Sequence, residues 1–334
     1  MVYIYKKIIH GKSYYYLRIS RKIKEKFVIK DIAYLGNDIS GLQKKLENLS
    51  DYKKEIRGSY RKIKNFIESE HYLIKIKEKK LKEDPYLEKN LLEEIEAIKL
   101  HYTIDFLRLD EKTKQDIYKA FLIDFAFNTT SIEGNTITLK EAERLLNENL
   151  TPKNRTLREI YDLQNTEKVF FEILNTKKDL DHEFIVFIHD SLLDNVDVRK
   201  GYRTRDIRVF KSRFDASPGQ YVKVDMDLLL KWYKENKKKF HPFVLAGIFH
   251  HKFEKIHPFF DGNGRTGRML MIYILLTNNF PPLFIRKSRR GKYLDAMANA
   301  DSSNLKESSP ENYEGIISYL AEEMINSYWN NFLV

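Results

Sequence analysis

In this 334-residue chain one run of twelve residues concentrates reactive chemistry: His257-Pro258-Phe259-Phe260-Asp261-Gly262-Asn263-Gly264-Arg265-Thr266-Gly267-Arg268. Gly262, Asn263 and Gly264 let the backbone come close to a ligand. They stand just ahead of a segment read as a helix, whose unpaired N–H groups and dipole favour an anion. Arg265 and Arg268 add planar, permanently charged forks suited to phosphate oxygens. Thr266 and Gly267, between them, belong to the same nucleotide-binding stretch. Asp261 is a hard oxygen ligand for Mg²⁺, which usually arrives with phosphates. His257, with a reference pKa of ~6.5, is a base usable near neutral pH. Together these residues describe a triphosphate cradle with a metal and a proton acceptor at one end. A glycine-rich turn before a helix is common by itself, so the conjunction of all the parts carries the reading. A metal held by His250, His251, His257 and Asp261 is the weaker alternative, because adjacent helical residues face different directions.

The elements that must position this loop read as helices. Leu245, Ile248, Phe249, Phe253 and Ile256 recur on one face that runs into His257. After the loop, Met269, Leu270, Ile272, Tyr273, Ile274, Leu275 and Leu276 are apolar almost all round, which predicts a central, buried helix ended by Pro281-Pro282. Thr138 with Glu141 and Thr156 with Glu159 fit capping boxes, and Asp181 and Asp225 sit where N-caps belong. Upstream, an apolar stripe from Leu42 to Ile67 predicts one helix that Gly58 weakens without ending; Pro85 stops it, and a helical pattern resumes from Tyr86 to about Ser131. Only the front of the chain has a strong β signal. Residues 2–5 and 13–19 flank a hairpin turn at His10-Gly11-Lys12, with a third strand from 26–29 or 32–35. The fold class is therefore mainly α, with a small N-terminal antiparallel β element.

The loop resembles the signature of Fic-domain proteins, HxFx(D/E)GNGRxxR, and His257, Phe259, Asp261, Gly262, Asn263, Gly264, Arg265 and Arg268 fill every specified position. Gly201-Tyr202-Arg203-Thr204 is similar to the segment before that family's flap hairpin, which would place Ile207, Arg208, Val209 and Phe210 on a flap strand against the nucleotide. Arg290-Gly291-Lys292-Tyr293 resembles the adenine side, with Tyr293 and Asp301 as contacts, although relatives with this pattern carry Asn where Asp301 stands. The resemblance implies a Fic-type helical bundle over residues 110–305, preceded by a β-meander (1–38) and a helical arm (39–109) and followed by a C-terminal helix (306–334). It also implies AMP transfer from ATP, with Mg²⁺, to a hydroxyl of a target protein or of the enzyme itself, with His257 as general base. The family includes phosphate and phosphocholine transferases, but an intact GNGR favours AMP.

Thr129-Thr130-Ser131-Ile132-Glu133-Gly134 resembles the family's inhibitory motif, (S/T)xxxE(G/N), at the end of a helix over about 117–133. Thr129 and Glu133 are one helical turn apart and share a face, and Gly134 can end the helix. The resemblance implies that Glu133 pairs with Arg268 and withholds it from the γ-phosphate. Glu133 could also orient water for AMP removal.

Lys and Arg number 59 against 48 Asp and Glu, a balance of +11, with no cysteine, no long apolar run and no signal-like start. A disulfide framework, a thiolate metal site and a membrane span are excluded, and a cytoplasmic home is expected. Residues 1–30 hold nine Lys or Arg, one acid and Tyr14-Tyr15-Tyr16. Nucleic-acid contact is one reading; the favoured one is a small sheet docking its apolar face while lysines protect its edge. The helix over 40–70 reads as a linker or a homodimer seam.

Overall fold

The computed structural model describes residues 1–23, 26–207 and 215–333. Strands β1 (Val2–Ile9), β2 (Lys12–Ile23) and β3 (Lys26–Gly36) form an antiparallel sheet in that order. His10 and Gly11, at φ 49° and 75°, make the two-residue turn whose twist matches a tight hairpin. The two alternatives for the third strand are one continuous strand, because register shifts opposite Tyr15/Tyr16 and Leu17/Arg18 absorb the irregularity between them. Val2, Ile4, Tyr15, Leu17, Ile19 and Leu35 form a small core with Leu42, Leu46 and Ile63.

The stripe at 42–67 is not one helix. It divides into α1 (Leu42–Glu47), a 3₁₀ turn, α2 (Lys53–Gly58) and α3 (Tyr60–Lys77). Of its two interruptions, the second falls at Gly58-Ser59, where helix continuation is least favoured and where the Ser59 hydroxyl accepts the Val2 N–H at 3.3 Å. The apolar residues of the stripe are covered within the chain by the sheet and by α4 (Lys89–Ile104).

The larger core runs from Tyr72 to Phe332. It gathers α4, α5 (Glu111–Ile132), α6 (Leu139–Glu148), α7 (Leu157–Leu174), α8 (His182–Leu192), α9 (Val222–Asn236), α10 (Pro242–Ile256), α11 (Asn263–Thr277), α12 (Arg290–Ala300) and α13 (Pro310–Asn331). Both capping boxes are formed, at Thr138 and Thr156, and Asp181 caps α8 through the Phe184 N–H. Asp225 is not an N-cap. A 3₁₀ turn at Gly219–Tyr221 carries the chain into α9 earlier, so Asp225 lies in the first turn, where its charge still suits the dipole. α11 is central and buried on nearly every side, as its composition requires. It stops at Thr277, before the prolines, because Asn279 turns left-handed and the Phe280 N–H returns to the Leu275 carbonyl at 2.9 Å. No described helix is long and apolar enough to cross a membrane.

Candidate active site

α10 and α11 pack against each other; residues 257–262 are the corner between them, and 263–268, the rest of the stretch read as a loop, form the first turns of α11. Pro258 cannot continue a helix, and His257 ends α10 in the left-handed region at φ 53°. Its N–H closes on the Phe253 carbonyl at 3.0 Å, and Nδ1 lies 3.3 Å from the Glu254 carbonyl. A proton on Nδ1 leaves the basic lone pair on Nε2. Burial pushes the imidazole below its ordinary pKa, with Arg203 adding to the effect and the Glu254 carbonyl, Glu133 and Asp261 opposing it. The ring is therefore neutral, and able to accept a proton, at pH 7.

Arg203 holds this corner in place, a role its sequence neighbourhood does not disclose. It is 1% exposed. Its Nε donates to the His257 carbonyl at 2.8 Å, Nη2 to the Ile256 carbonyl at 3.3 Å and to the Ser217 carbonyl, and Nη1 to the Arg205 carbonyl at 2.9 Å. Its own N–H reaches the Pro258 carbonyl at 2.9 Å. One guanidinium thus ties the His257 backbone to both ends of the segment expected to form the flap. Of that expected strand, Ile207 is half-buried, and Arg208, Val209 and Phe210 lie outside the described residues.

Inside the loop, Asn263 closes a ring on Phe259. Its Oδ1 accepts the Phe259 N–H and its Nδ2 donates to the Phe259 carbonyl, both at 2.9 Å. The Asn263 amide is therefore engaged in shaping the loop. Phe259 stacks on His189 of α8 with ring centroids 3.6 Å apart, and His189 Nε2 meets the Asp261 carbonyl at 3.1 Å. Gly262, the N-cap of α11 at φ 74°, is pressed so closely on Leu193 that a Cβ would lie 2.4 Å from its Cδ2. Arg265 is buried and paired with Asp162 of α7, and its Nη2 lies 3.7 Å from Asp261 Oδ1. Thr266 and Gly267 lie buried in the first turns of α11.

Asp261 is half-buried, and Arg158 pairs with its outer oxygen. Burial would raise the Asp261 pKa, but Arg265 and Arg158 outweigh it and hold the carboxyl below its usual range. It is thus a charged oxygen donor at the mouth of the α11 N-terminus. A single carboxylate fits Mg²⁺ that takes its other ligands from phosphate and water, the common arrangement for this ion.

At the far end of the loop, Arg268 is 2% exposed. Its Nε donates to Thr129 Oγ1 at 2.7 Å; its Nη2 donates to the Thr129 carbonyl at 3.0 Å and to Glu133 Oε1 at 2.8 Å. Glu133 caps the C-terminus of α5, and Gly134, at φ 107°, turns the chain away. The helix carrying the motif starts at Glu111, capped by Asp110, earlier than the expected 117. Gly264 makes room for the carboxylate, since a Cβ there would stand 2.1 Å from Glu133 Oε1. Partial burial opposes ionisation of Glu133, but Arg268 and, more weakly, Arg265 and His257 hold its pKa below the ordinary value.

Behind Arg268 lies a second acidic group. Glu254 Oε1 is buried and makes no hydrogen bond among the described residues, and burial lifts its carboxyl to about 8 despite Arg268. His250, pushed down to about 3 by burial, meets the Tyr293 hydroxyl at 2.7 Å. Tyr293 is buried close enough to Arg268 and Glu133 for their charges to act on it. Asp301 instead pairs with His251 at 3.1 Å. His250 and His251 thus face different neighbours, and among the described residues no group of three or more acids, histidines or cysteines could hold a metal.

Residues 179–275 match the model of the Fic/DOC family. The chain is similar to the protein adenylyltransferase fic-1 of Caenorhabditis elegans, at 26% identity over 219 residues, which are 61% of this chain and 43% of that one. It is also similar to the protein adenylyltransferase Fic of Aedes aegypti, at 30% over 198 residues, 56% of this chain and 39% of that one. It therefore spans less than half the length of these relatives. Among solved structures, a Fic domain-containing signaling protein from Bacteroides thetaiotaomicron superposes with a TM-score of 0.63 at 22% identity, covering 71% of this chain and 95% of that one. Residues 134–508 of C. elegans Fic-1 superpose with a TM-score of 0.60 at 23% identity, covering 72% and 70%. The shared fold extends well beyond the matched segment, while α5 with Glu133 and α12 with Tyr293 lie outside that segment. Signature loop, helical architecture and family model agree on one place in the chain: the segment over residues 179–275 that matches the Fic/DOC family contains the whole of the 257–268 signature.

Proposed function

We propose that the chain is an autoinhibited protein adenylyltransferase that moves AMP from ATP to a Ser, Thr or Tyr hydroxyl of a target protein or of itself. The observation that carries this reading is the Glu133–Arg268 ion pair, which links the inhibitory segment to the end of the loop across 135 residues of sequence. An arginine held by an internal carboxylate at the N-terminal end of a buried helix is what an anion site looks like when its ligand's partner is already taken.

His257 Nε2 takes the proton of the target hydroxyl. The hydroxyl oxygen forms a bond to the α-phosphorus, the bond from that phosphorus to the β-phosphate oxygen breaks, and pyrophosphate leaves. N–H groups in the first turn of α11, including that of Gly264, face the developing charge, while the Gly262 N–H donates to Asp261 Oδ1 at 2.6 Å and holds that carboxylate in place. The buried Asp162–Arg265 pair fixes α11 beneath the phosphates. Asp261 would hold Mg²⁺, which neutralises phosphate charge, and Arg158 is the exposed partner it would give up. Arg268, once free of Glu133, is the cation available to the γ-phosphate. Tyr293, beside Arg268, and the segment after Arg203 flank the nucleotide, whereas the pairing of Asp301 with His251 turns that carboxylate away from a direct base contact.

The test is transfer of label from α-labelled and γ-labelled ATP to protein by the Glu133→Gly variant. Label from the α position supports AMP transfer, and label from the γ position supports phosphorylation instead. Adding His257→Ala should remove ~10²–10⁴-fold of the rate; an unchanged rate would sink the assignment of the base.

A further inference from the structure

We infer that the outward face of the β1–β2–β3 sheet is a platform for single-stranded nucleic acid. The inward face is filled, with Val2, Tyr15 and Leu17 wholly buried against the helices. Docking therefore explains one face only. On the other, the strand alternation and pairing put Tyr3 and Tyr5 beside Arg18 and Tyr16, and Tyr34 beside Tyr16. Direct contacts confirm the shared layer: the Arg18 guanidinium lies 3.5 Å from the Tyr5 ring centroid, and the Tyr16 and Tyr34 centroids are 5.2 Å apart. The aromatic surface continues outward along the β2–β3 ribbon to Phe27, which is 71% exposed. Lys7, Lys12 and Lys22 share this face and are exposed, while Asp31, clamped by Arg18, is the acid on it among the described residues.

A layer of rings, half-exposed at Tyr3, Tyr5 and Tyr16 and exposed at Tyr34 and Phe27, with cations around it, needs a partner to account for it. Bases offer flat π-faces of any sequence, and the phosphates that join them match the lysines, so a single strand uses both features at once. A duplex keeps its bases stacked inside and would engage the lysines alone. This inference is independent of the adenylyl-transfer reading.

The experiment measures fluorescence anisotropy of labelled oligodeoxythymidylate and oligouridylate with the full chain at rising salt, against a duplex of equal length. Single strands should bind more tightly than the duplex, and log affinity should fall linearly with log salt at about −0.7 per phosphate contacted. Tyr16→Ala should weaken binding at least about fivefold, and Tyr16→Phe should retain it, since a ring suffices for stacking. If Tyr16→Ala loses its fold, the more exposed Tyr34→Ala takes its place. No binding at low salt, preference for the duplex, or wild-type affinity in a folded alanine variant would overturn the proposal.

Discussion

Arg268 and Glu133 approach to 2.8 Å, and the guanidinium is buried while the carboxylate side chain keeps 42% of its exposure. A charge-assisted pair of this kind is worth ~1.5–3 kcal/mol when sheltered. Water at Glu133 screens it, so about one decade in rate is the expected effect of removing the carboxylate. Glu133→Gly should self-label from α-labelled ATP about tenfold faster than the unaltered chain. Equal rates would remove Glu133 as a brake. The same pair sets a pH expectation. The Glu133 pKa is depressed, so the pair persists above the ordinary carboxylate range and is lost only as pH falls through the lower folded value. Mild acidification near neutrality should leave the brake in place.

Thr129 holds the same arginine from the other side, accepting Arg268 Nε at 2.7 Å in a buried setting. Thr129→Val keeps the shape and removes the acceptor, leaving a charged N–H short of a partner. The expected cost is ~1–3 kcal/mol of stability, read as a lower denaturation midpoint in urea. Thr129→Ser, which retains the hydroxyl, should lie close to the parent chain. A Val variant as stable as the Ser variant would show that the Thr129 carbonyl alone suffices for Arg268.

Much of this site was legible in the sequence because its parts are local. The loop spans twelve consecutive residues, and His257, Gly262 and the first turn of α11 take positions that proline, glycine and apolar periodicity dictate. The Glu133–Arg268 contact is long-range; the motif resemblance supplied it, and periodicity gave only the common face of Thr129 and Glu133. The residues that brace the loop stayed hidden. Arg203, Asp162 and His189 act through partners 54, 103 and 72 positions away, and a lone Arg, Asp or His carries no local pattern. Asn263 illustrates a related limit: its type suits a phosphate or a loop-closing amide equally, and the distances to Phe259 assign its side chain to the loop. The break at Gly58-Ser59 has no local signature beyond the glycine, because the Ser59 hydroxyl bonds to Val2, 57 positions earlier.

Arg203 reaches four backbone carbonyls around His257 with one planar fork. Lysine has the charge without the fork, so it cannot hold them together. In the Glu133→Gly background, Arg203→Lys should lower kcat by about 10²-fold, the scale set by misplacing a reacting group by an ångström, with a smaller change in KM for ATP. A rise in KM for ATP alone, with kcat intact, would place Arg203 in nucleotide binding and not in positioning His257.

Glu254 supplies the last test, since its buried carboxyl titrates at about 8, far above an unfolded glutamate. The folded state therefore favours the protonated form. Its contribution to stability is complete below the unfolded pKa of ~4.3 and is lost progressively as pH rises through the folded value. Glu254→Gln keeps the shape and cannot ionise. The stability difference between this variant and the parent should shift in the variant's favour as pH climbs from about 5 to 9, by on the order of a few kcal/mol at most. Other titrating groups are common to both proteins and cancel in the difference. Urea midpoints at successive pH values provide the measurement. A difference that stays flat would mean that Glu254 is already ionised in the fold, with Arg268 as its counter-charge, and Arg268 would then be shared between two carboxylates.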